Sequence, residues 1–253
     1  MYQFNFVRPK SLADAEALLA QADDPKLLAG GQTLIPTLKQ RLAMPSDLID
    51  IGSLKELAFI RAEGDAIMIG AGTKHFDVAD SEDVKKHNPA LAKLAGMIGD
   101  PAVRHMGTLG GSIANNDPAA DYPAACIALD AKIHTNKRLI EADEYFKGMF
   151  ETALQADEII KEVTFPNPAS RYAMVGVFVS KGPWGVRVAV TGAGQNGVFR
   201  VKAMEEALAK NWSADAVANI KVPADDLLSD LHGSAEYRAH LITVMAKRAV
   251  AAA

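Results

Sequence analysis

Two short stretches carry the residue types that could do chemistry. Ala29-Gly30-Gly31-Gln32-Thr33 and Thr108-Leu109-Gly110-Gly111-Ser112 each set a pair of glycines among hydroxyl side chains. Paired glycines let a backbone enter φ > 0 and bring its N–H groups close to a ligand. Successive exposed N–H groups form an anion-binding concavity, strengthened where a helix begins. Thr33, Thr108 and Ser112 add hydroxyl donors at the same places. Two such loops in one domain could clamp the two phosphates of a dinucleotide, although either alone reads more simply as a tight turn. Neither is a nucleotide fingerprint of the GxGxxG or GxxxxGK[ST] kind. Spacing therefore indicates an anion clamp and leaves the ligand open.

The short polar groups that follow the second loop add to this. Asn115, Asn116, Asp117 and Asp121 stand beside it, and a carboxylate there could accept from a ribose or ribityl hydroxyl. The plainer reading makes Asp117-Pro118 a turn opener and Asp121 a helix N-cap for the run Tyr122–Leu129, and one carboxylate can serve both roles. Cys126 lies in the apolar run 124–129, where packing is the expected role. His75 reads as a surface or capping residue and His105 as structural. Trp184 falls on an expected hairpin tip, and Glu205-Glu206 and Asp225-Asp226 read as solvated faces. With a single cysteine the chain can form no internal disulfide and hold no iron–sulfur cluster of its own. Its six histidines show no HxxxH or HExxH pairing, so no metal site is expected.

The elements that must position these groups follow from periodicity and punctuation. Ser11-Leu12-Ala13-Asp14 predicts a capping box and a helix to about Ala22, ended by Asp24-Pro25. A strand over 26–29 runs into the first glycine pair, and a helix over 34–42 follows it. Strands are expected at 47–51, 57–61, 66–71, 131–135 and 158–165, a helix at 89–98, and a loop at the second glycine pair. Beyond Asn167-Pro168 come three strand-like runs (172–180, 186–191, 197–201) and then helices near 202–210, 213–219 and 234–251. That order predicts an α+β fold with a first domain at 1–166, itself split near 55, and a second at 167–253.

Composition sets the outer limits. The 253 residues are 49% hydrophobic and 23% charged, ordinary for a globular protein. A net charge of −4 argues against nucleic acid as the main partner. No run reaches the roughly 20 apolar residues of a membrane span, and MYQFNFVRPK has no apolar stretch of the secretory kind, so a cytoplasmic location is expected.

Taken together, Phe4-Asn5-Phe6-Val7-Arg8-Pro9, the loop Ala29–Pro36, Asp100-Pro101 with Arg104, the segment 107–121 and Glu236-Tyr237-Arg238 resemble the medium, FAD-binding subunit of the molybdenum hydroxylases, the family of aerobic carbon monoxide dehydrogenase and the xanthine dehydrogenase type. The resemblance covers nearly the whole chain. It implies an FAD-binding domain of two α+β subdomains (PCMH-type), followed by a smaller C-terminal domain with a three-stranded antiparallel sheet and helices. It also implies that backbone amides of both loops bind the FAD pyrophosphate. Carried onto this sequence, the cofactor contacts fall on Leu28, Ala29, Gly30, Gly31, Gln32 and Thr33, and on Thr108, Gly110, Gly111 and Ser112. Asn115, Asp121 and Ile160 complete the set, with no catalytic or metal-ligating residue.

The implied partners are a large molybdenum-cofactor subunit and a small [2Fe–2S] subunit, in a dimer of heterotrimers. This chain would take electrons onto FAD and pass them to a quinone, oxygen or NAD. The sequence departs from the family after Pro166, where members carry a further segment with a Tyr-x-Lys-Phe stretch that reaches the flavin. That departure motivates a second reading, a structural or assembly subunit with weak or no FAD binding. A stand-alone FAD oxidoreductase is a third.

Overall fold

The computed structural model describes residues 1–64, 66–165, 174–230 and 233–253. The chain opens with β1 (Asn5–Val7), α1 (Leu12–Gln21), β2 (Pro25–Leu28), α2 (Leu34–Lys39) and β3 (Asp47–Asp50). The three strands pair in parallel in the order β1-β3-β2. A parallel pair needs a crossover, and α2 supplies it between β2 and β3. Ser11 caps α1 by accepting from the Asp14 amide, and the Asp14 carboxylate accepts in return from the Lys10 amide. Ala15 and Leu19 of α1 then bury against Ile49, Leu54 and Leu57.

A second layer starts after the 3₁₀ turn Lys55–Leu57 with β4 (Ile60–Glu63) and β5 (Ala66–Gly70). Six helices follow: α3 (His75–Asp80), α4 (Glu82–His87), α5 (Pro89–Met97), α6 (Pro101–Arg104), α7 (Leu109–Asn115) and α8 (Asp121–Ala128). The chain then returns through β6 (Lys132–Thr135), β7 (Leu139–Glu141), α9 (Ala142–Tyr145), β8 (Phe146–Gly148), β9 (Glu151–Thr152) and β10 (Ile160–Phe165). An antiparallel five-stranded sheet, β4-β5-β10-β6-β7, carries the largest core, in which Ile67, Ile69, Ile133 and Val163 pack with α5, α7 and α8.

The last part comprises β11 (Gly176–Gly182), β12 (Gly185–Thr191), β13 (Phe199–Arg200), α10 (Lys202–Lys210), α11 (Ala214–Val217) and α12 (Ala235–Ala251). Its strands form an antiparallel three-stranded sheet. Strand alternation divides the two faces of that sheet. Val177, Val179, Val188 and Val190 pack with the helices behind it, while Phe178 and Ala189 join the large core around α8. Polar pins fix the contact. The Ser180 hydroxyl donates to the Ala128 carbonyl, Thr191 Oγ1 to the Ala120 carbonyl at 2.7 Å, and the Gly192 amide to the Pro118 carbonyl at 2.7 Å. The fold is thus α+β, with a part built on a parallel three-stranded and an antiparallel five-stranded sheet followed by a smaller part of a three-stranded antiparallel sheet and helices.

Several expectations need correction. The second glycine pair is helical, not a loop. Thr108 caps it, and Gly110 can sit in the helix because its bare α-carbon lies on Ala71, whose Cβ would be 2.6 Å from a Cβ at that position. The strand expected at 57–61 divides into the 3₁₀ turn and β4, since the Gly70 and Gly72 amides take the carbonyls of Phe59 and Leu57. Asp121 is not an N-cap but the first residue of α8, with Ala120 at the cap. Glu205 is not a solvated face. It is buried, accepts from the Val188 amide at 3.0 Å, and pairs with Arg200 at 2.8 Å. The change of chain character at Pro166 to Ala173, including the missing Tyr-x-Lys-Phe piece, lies outside the described residues, and of the strand expected at 172–180 the described part starts at Gly176. No helix among the described residues is long and apolar enough to cross a membrane.

Candidate functional site

The turn after β2 and the segment 107–120 face each other across a cleft of about 490 Å³, within the range of small-molecule sites. The two sides touch at one point. A Cβ on Gly30 would lie 2.2 Å from the Met106 carbonyl oxygen and 2.7 Å from the Gly107 α-carbon, so only glycine lets the backbones close there. Gly31 has φ +70°, a left-handed conformation that side chains disfavour, and it turns the chain into α2.

The first loop is rich in free donors. Among the described residues, the amides of Gly30, Gly31, Gln32, Thr33 and Leu34 donate to no protein group, and all five residues line the cleft. Internal bonding resumes only where Ile35 donates to the Gly31 carbonyl and Thr37 to that of Thr33. Gly30, Gly31 and Leu34 are half-buried, where backbone donors are normally paired, and Gln32 and Thr33 are exposed, so the run offers open donors to an anion in the cleft.

The second glycine pair is built differently. The Leu109 amide donates to Thr73, that of Gly110 to Ala71 at 2.8 Å, that of Gly111 to Thr108 Oγ1 at 3.1 Å, and that of Ser112 to Thr108. The resemblance implies amide contacts here, yet these four amides bond within the chain. What the second side offers the cleft is its hydroxyls, Thr108 and Ser112, together with Asn115 and Asp117. Lys26 is the one cation among the lining residues and Asp117 the one anion, so backbone and side-chain dipoles must carry most of any anion's stabilisation.

Two buried groups stand behind the lining. Asp121 is 3% exposed and neither carboxyl oxygen has a partner among the described residues, and burial raises its pKa to about 7. A carboxyl left unsatisfied in this way is destabilising until a donor reaches it. His75, expected as a surface or capping residue, is neither: it is 5% exposed, follows the cap Lys74 and lines the cleft. Burial lowers its pKa to about 4, which keeps the imidazole neutral. His105 is exposed, its Nδ1 lies 2.7 Å from the Pro101 carbonyl and its ring stacks on Phe76. Cys126 is fully buried, and burial pushes its thiol well above the usual range.

A smaller apolar pocket of about 100 Å³ adjoins the cleft through Leu27, Ala29, Gly111 and Ala114. Ile160 and Ile159 line it, as does Gly110. Glu158 stands there too, its carboxylate held by Arg138 at 2.8 Å and by Thr135 at 2.8 Å, and Arg138 lowers its pKa to about 2.

Of the residues singled out in the sequence, Ala29–Thr33, Thr108, Gly111, Ser112 and Asn115 meet in the cleft, while Gly110 and Ile160 meet in the adjoining pocket. Leu28 ends β2 and lines neither, and Asp121 lies buried outside both linings. Lys26, Leu34, Thr37, His75, Gly107 and Asp117 also line the cleft. His75 is brought there by the isolated antiparallel bridge between Lys74 and Thr108, a pairing across more than thirty residues that local pattern does not signal.

Residues 2–168 match the family described as the FAD binding domain in molybdopterin dehydrogenase. The carbon monoxide dehydrogenase medium chain of Hydrogenophaga pseudoflava is 34% identical, over 99% of this chain and 97% of its own. The nicotine 6-hydroxylase medium subunit of Paenarthrobacter nicotinovorans is 34% identical, over 97% and 95%. Among solved structures, a chain of the Hydrogenophaga pseudoflava carbon monoxide dehydrogenase that lacks the Mo-pyranopterin moiety superposes with a TM-score of 0.85 at 35% identity, covering 99% of this chain and 97% of its own. A chain of quinoline 2-oxidoreductase from Pseudomonas putida 86 gives 0.87 at 28% identity, covering 99% and 96%. The match to the first relative runs over 278 residues while this chain has 253, so at least 25 residues of that relative have no counterpart here.

Proposed function

This chain belongs to the FAD-binding family of the molybdopterin dehydrogenases and is the flavin-binding medium subunit of an oxidoreductase, and from that premise we propose that it relays electrons from iron–sulfur clusters of a partner subunit to an external acceptor. The single observation that carries the assignment of the cleft is that five successive residues lining it, Gly30 to Leu34, have amides with no protein partner among the described residues. A diphosphate fits that cradle, because it needs many donors converging from bare backbone and little net positive charge. The unpartnered Asp121 carboxyl fits a hydroxyl-bearing chain attached to it, since it lacks a donor. When bound, FAD supplies the electron chemistry, and the protein holds and orients it.

In this reading Ala29–Thr33 cradle the diphosphate, with Thr108 and Ser112 contributing hydroxyls from the facing side. Gly110 and Gly111 allow close approach, Asn115 and Asp121 serve the polar part of the cofactor, and Ile160 lines an apolar subsite. We take residues 1–166 as the flavin domain, split near 55, and 167–253 as the second domain. The relatives are medium chains by name. By extension this chain would work beside a large molybdenum subunit and a small [2Fe–2S] subunit, in a dimer of heterotrimers.

One observation favours a second reading. The shortfall of at least 25 residues against the Hydrogenophaga chain would suit a subunit that keeps the fold and holds FAD weakly. The visible spectrum of the purified chain separates the two. Oxidised-flavin absorption, with FAD released on denaturation, is expected for the electron-relay reading. A colourless chain that takes up no FAD even with its partner subunits present would sink it. Co-purification of molybdenum and iron with the chain then tests the partners.

A further inference from the structure

The wall formed by residues 107–112 has used its amides internally, yet one buried side chain reaches the cleft through it. His75 is 5% exposed and lines the cleft, and its Nδ1 has no hydrogen-bond partner among the described residues. Its Nε2 lies against Gly107, where a Cβ would come within 2.7 Å. Gly107 is also the residue on which Gly30 closes, so the imidazole arrives where the two sides of the cleft touch. The ring is held firmly. The His75 amide donates to the Gly107 carbonyl at 3.0 Å, and the Tyr122 ring backs the imidazole at 5.4 Å between centroids. An orphaned acceptor is tolerated better than an orphaned N–H, so the buried Nδ1 is the bare nitrogen and the proton sits on Nε2, on the Gly107 side. Burial also keeps this imidazole neutral at physiological pH, so it carries one N–H donor and one acceptor nitrogen.

We infer that His75 is a cofactor-binding residue, whose imidazole donates its Nε2 proton to the diphosphate at the junction of the two loops. The inference rests on the FAD reading and adds to it a donor from a third segment of the chain. Gly107 is glycine, in this account, to leave the imidazole room.

The test titrates the full-length chain with FAD, ADP and FMN. The side-chain amide of His75→Gln can reach the place of Nε2, whereas that of His75→Asn reaches only the place of Nδ1. The Gln variant should bind FAD and ADP within about threefold of the unsubstituted chain. The Asn variant should lose roughly tenfold to a hundredfold for both, the worth of one hydrogen bond to a charged group. FMN, which has no diphosphate, should not distinguish the two variants. Gly107→Ala, whose Cβ would displace the ring, should reproduce the Asn loss, and thermal melts check that each variant is folded. Wild-type affinity for FAD and ADP in the Asn variant, or an equal loss for FMN, would overturn the assignment. If the unsubstituted chain bound neither FAD nor ADP, the FAD reading itself would fall and the inference with it.

Discussion

At the turn from β2 into α2, five successive residues that line the cleft have amides with no protein partner among the described residues, whereas the four amides from Leu109 to Ser112 are each bonded within the chain. Both regions are a Gly-Gly pair beside hydroxyl residues, and both line the same space. In the first, glycine permits a left-handed turn that leaves donors open. In the second, glycine permits a helix to lie directly on Ala71 and Thr73. A pair of glycines can therefore make room for a ligand or make room for the protein itself. Which of these it does is decided by where the neighbouring amides go.

Substitutions can break this contrast. The largest effect is expected for Gly110→Val, since a Cβ there would fall 2.6 Å from the Ala71 Cβ and 2.8 Å from its carbonyl oxygen. Overpacking of that kind should remove about 3 kcal/mol of stability, read as a lower thermal midpoint in the apoprotein. An unchanged midpoint would mean that the second pair is not a packing device.

Asp121 offers a pH test of the group behind the second region. Its folded pKa, about 7, lies above the ordinary 3.8. The folded state thus holds a proton that the unfolded chain releases, and stability falls as pH rises from about 4 to about 7. Asp121→Asn should remove that decline, leaving the variant about 2 kcal/mol the more stable at pH 8 and no better at pH 4. Melts that track the wild type at every pH would show that the carboxyl is not desolvated.

Gly31→Ala should be milder for the fold. The φ of +70° costs a side chain about 1–2 kcal/mol, and the Cβ meets the movable end of Ile35 at 2.7 Å. Its stronger expected effect is on FAD affinity, because the amide cradle would re-aim. Equal FAD affinity in the two proteins would separate the cradle from the ligand. The smallest expected change comes from Thr108→Val, which strips the cap from the Gly111 amide and should destabilise by about 1 kcal/mol. It should also free one amide on the second side, so FAD affinity that rises rather than falls would sharpen the contrast between the two loops.

Much of the fold was legible because periodicity and punctuation act locally. Helices α1, α5, α10 and α12, strands β2, β3, β5 and β12, and the glycine turn after β2 all lie within a residue or two of their expected places. The helix at the second glycine pair was not legible, because two adjacent glycines oppose a helix on propensity and only Ala71, Thr73 and the Thr108 cap override that. The burial of Glu205 depends on Arg200 and on the Val188 amide, one strand away. The cleft position of His75 depends on the bridge to Thr108. Each of these misses has one cause: a contact distant in sequence decided what a local pattern left open.

The open amides have a further consequence in hydrogen–deuterium exchange. Amides bonded within the fold exchange only when the structure around them opens. In the ligand-free chain, Gly30 to Leu34 should therefore exchange at rates close to those of an unstructured peptide, while Leu109 to Ser112 stay slow. Adding a cradle-filling anion should bring the first group toward the second, so one peptide map would register occupancy of the cleft without reference to colour or electron transfer.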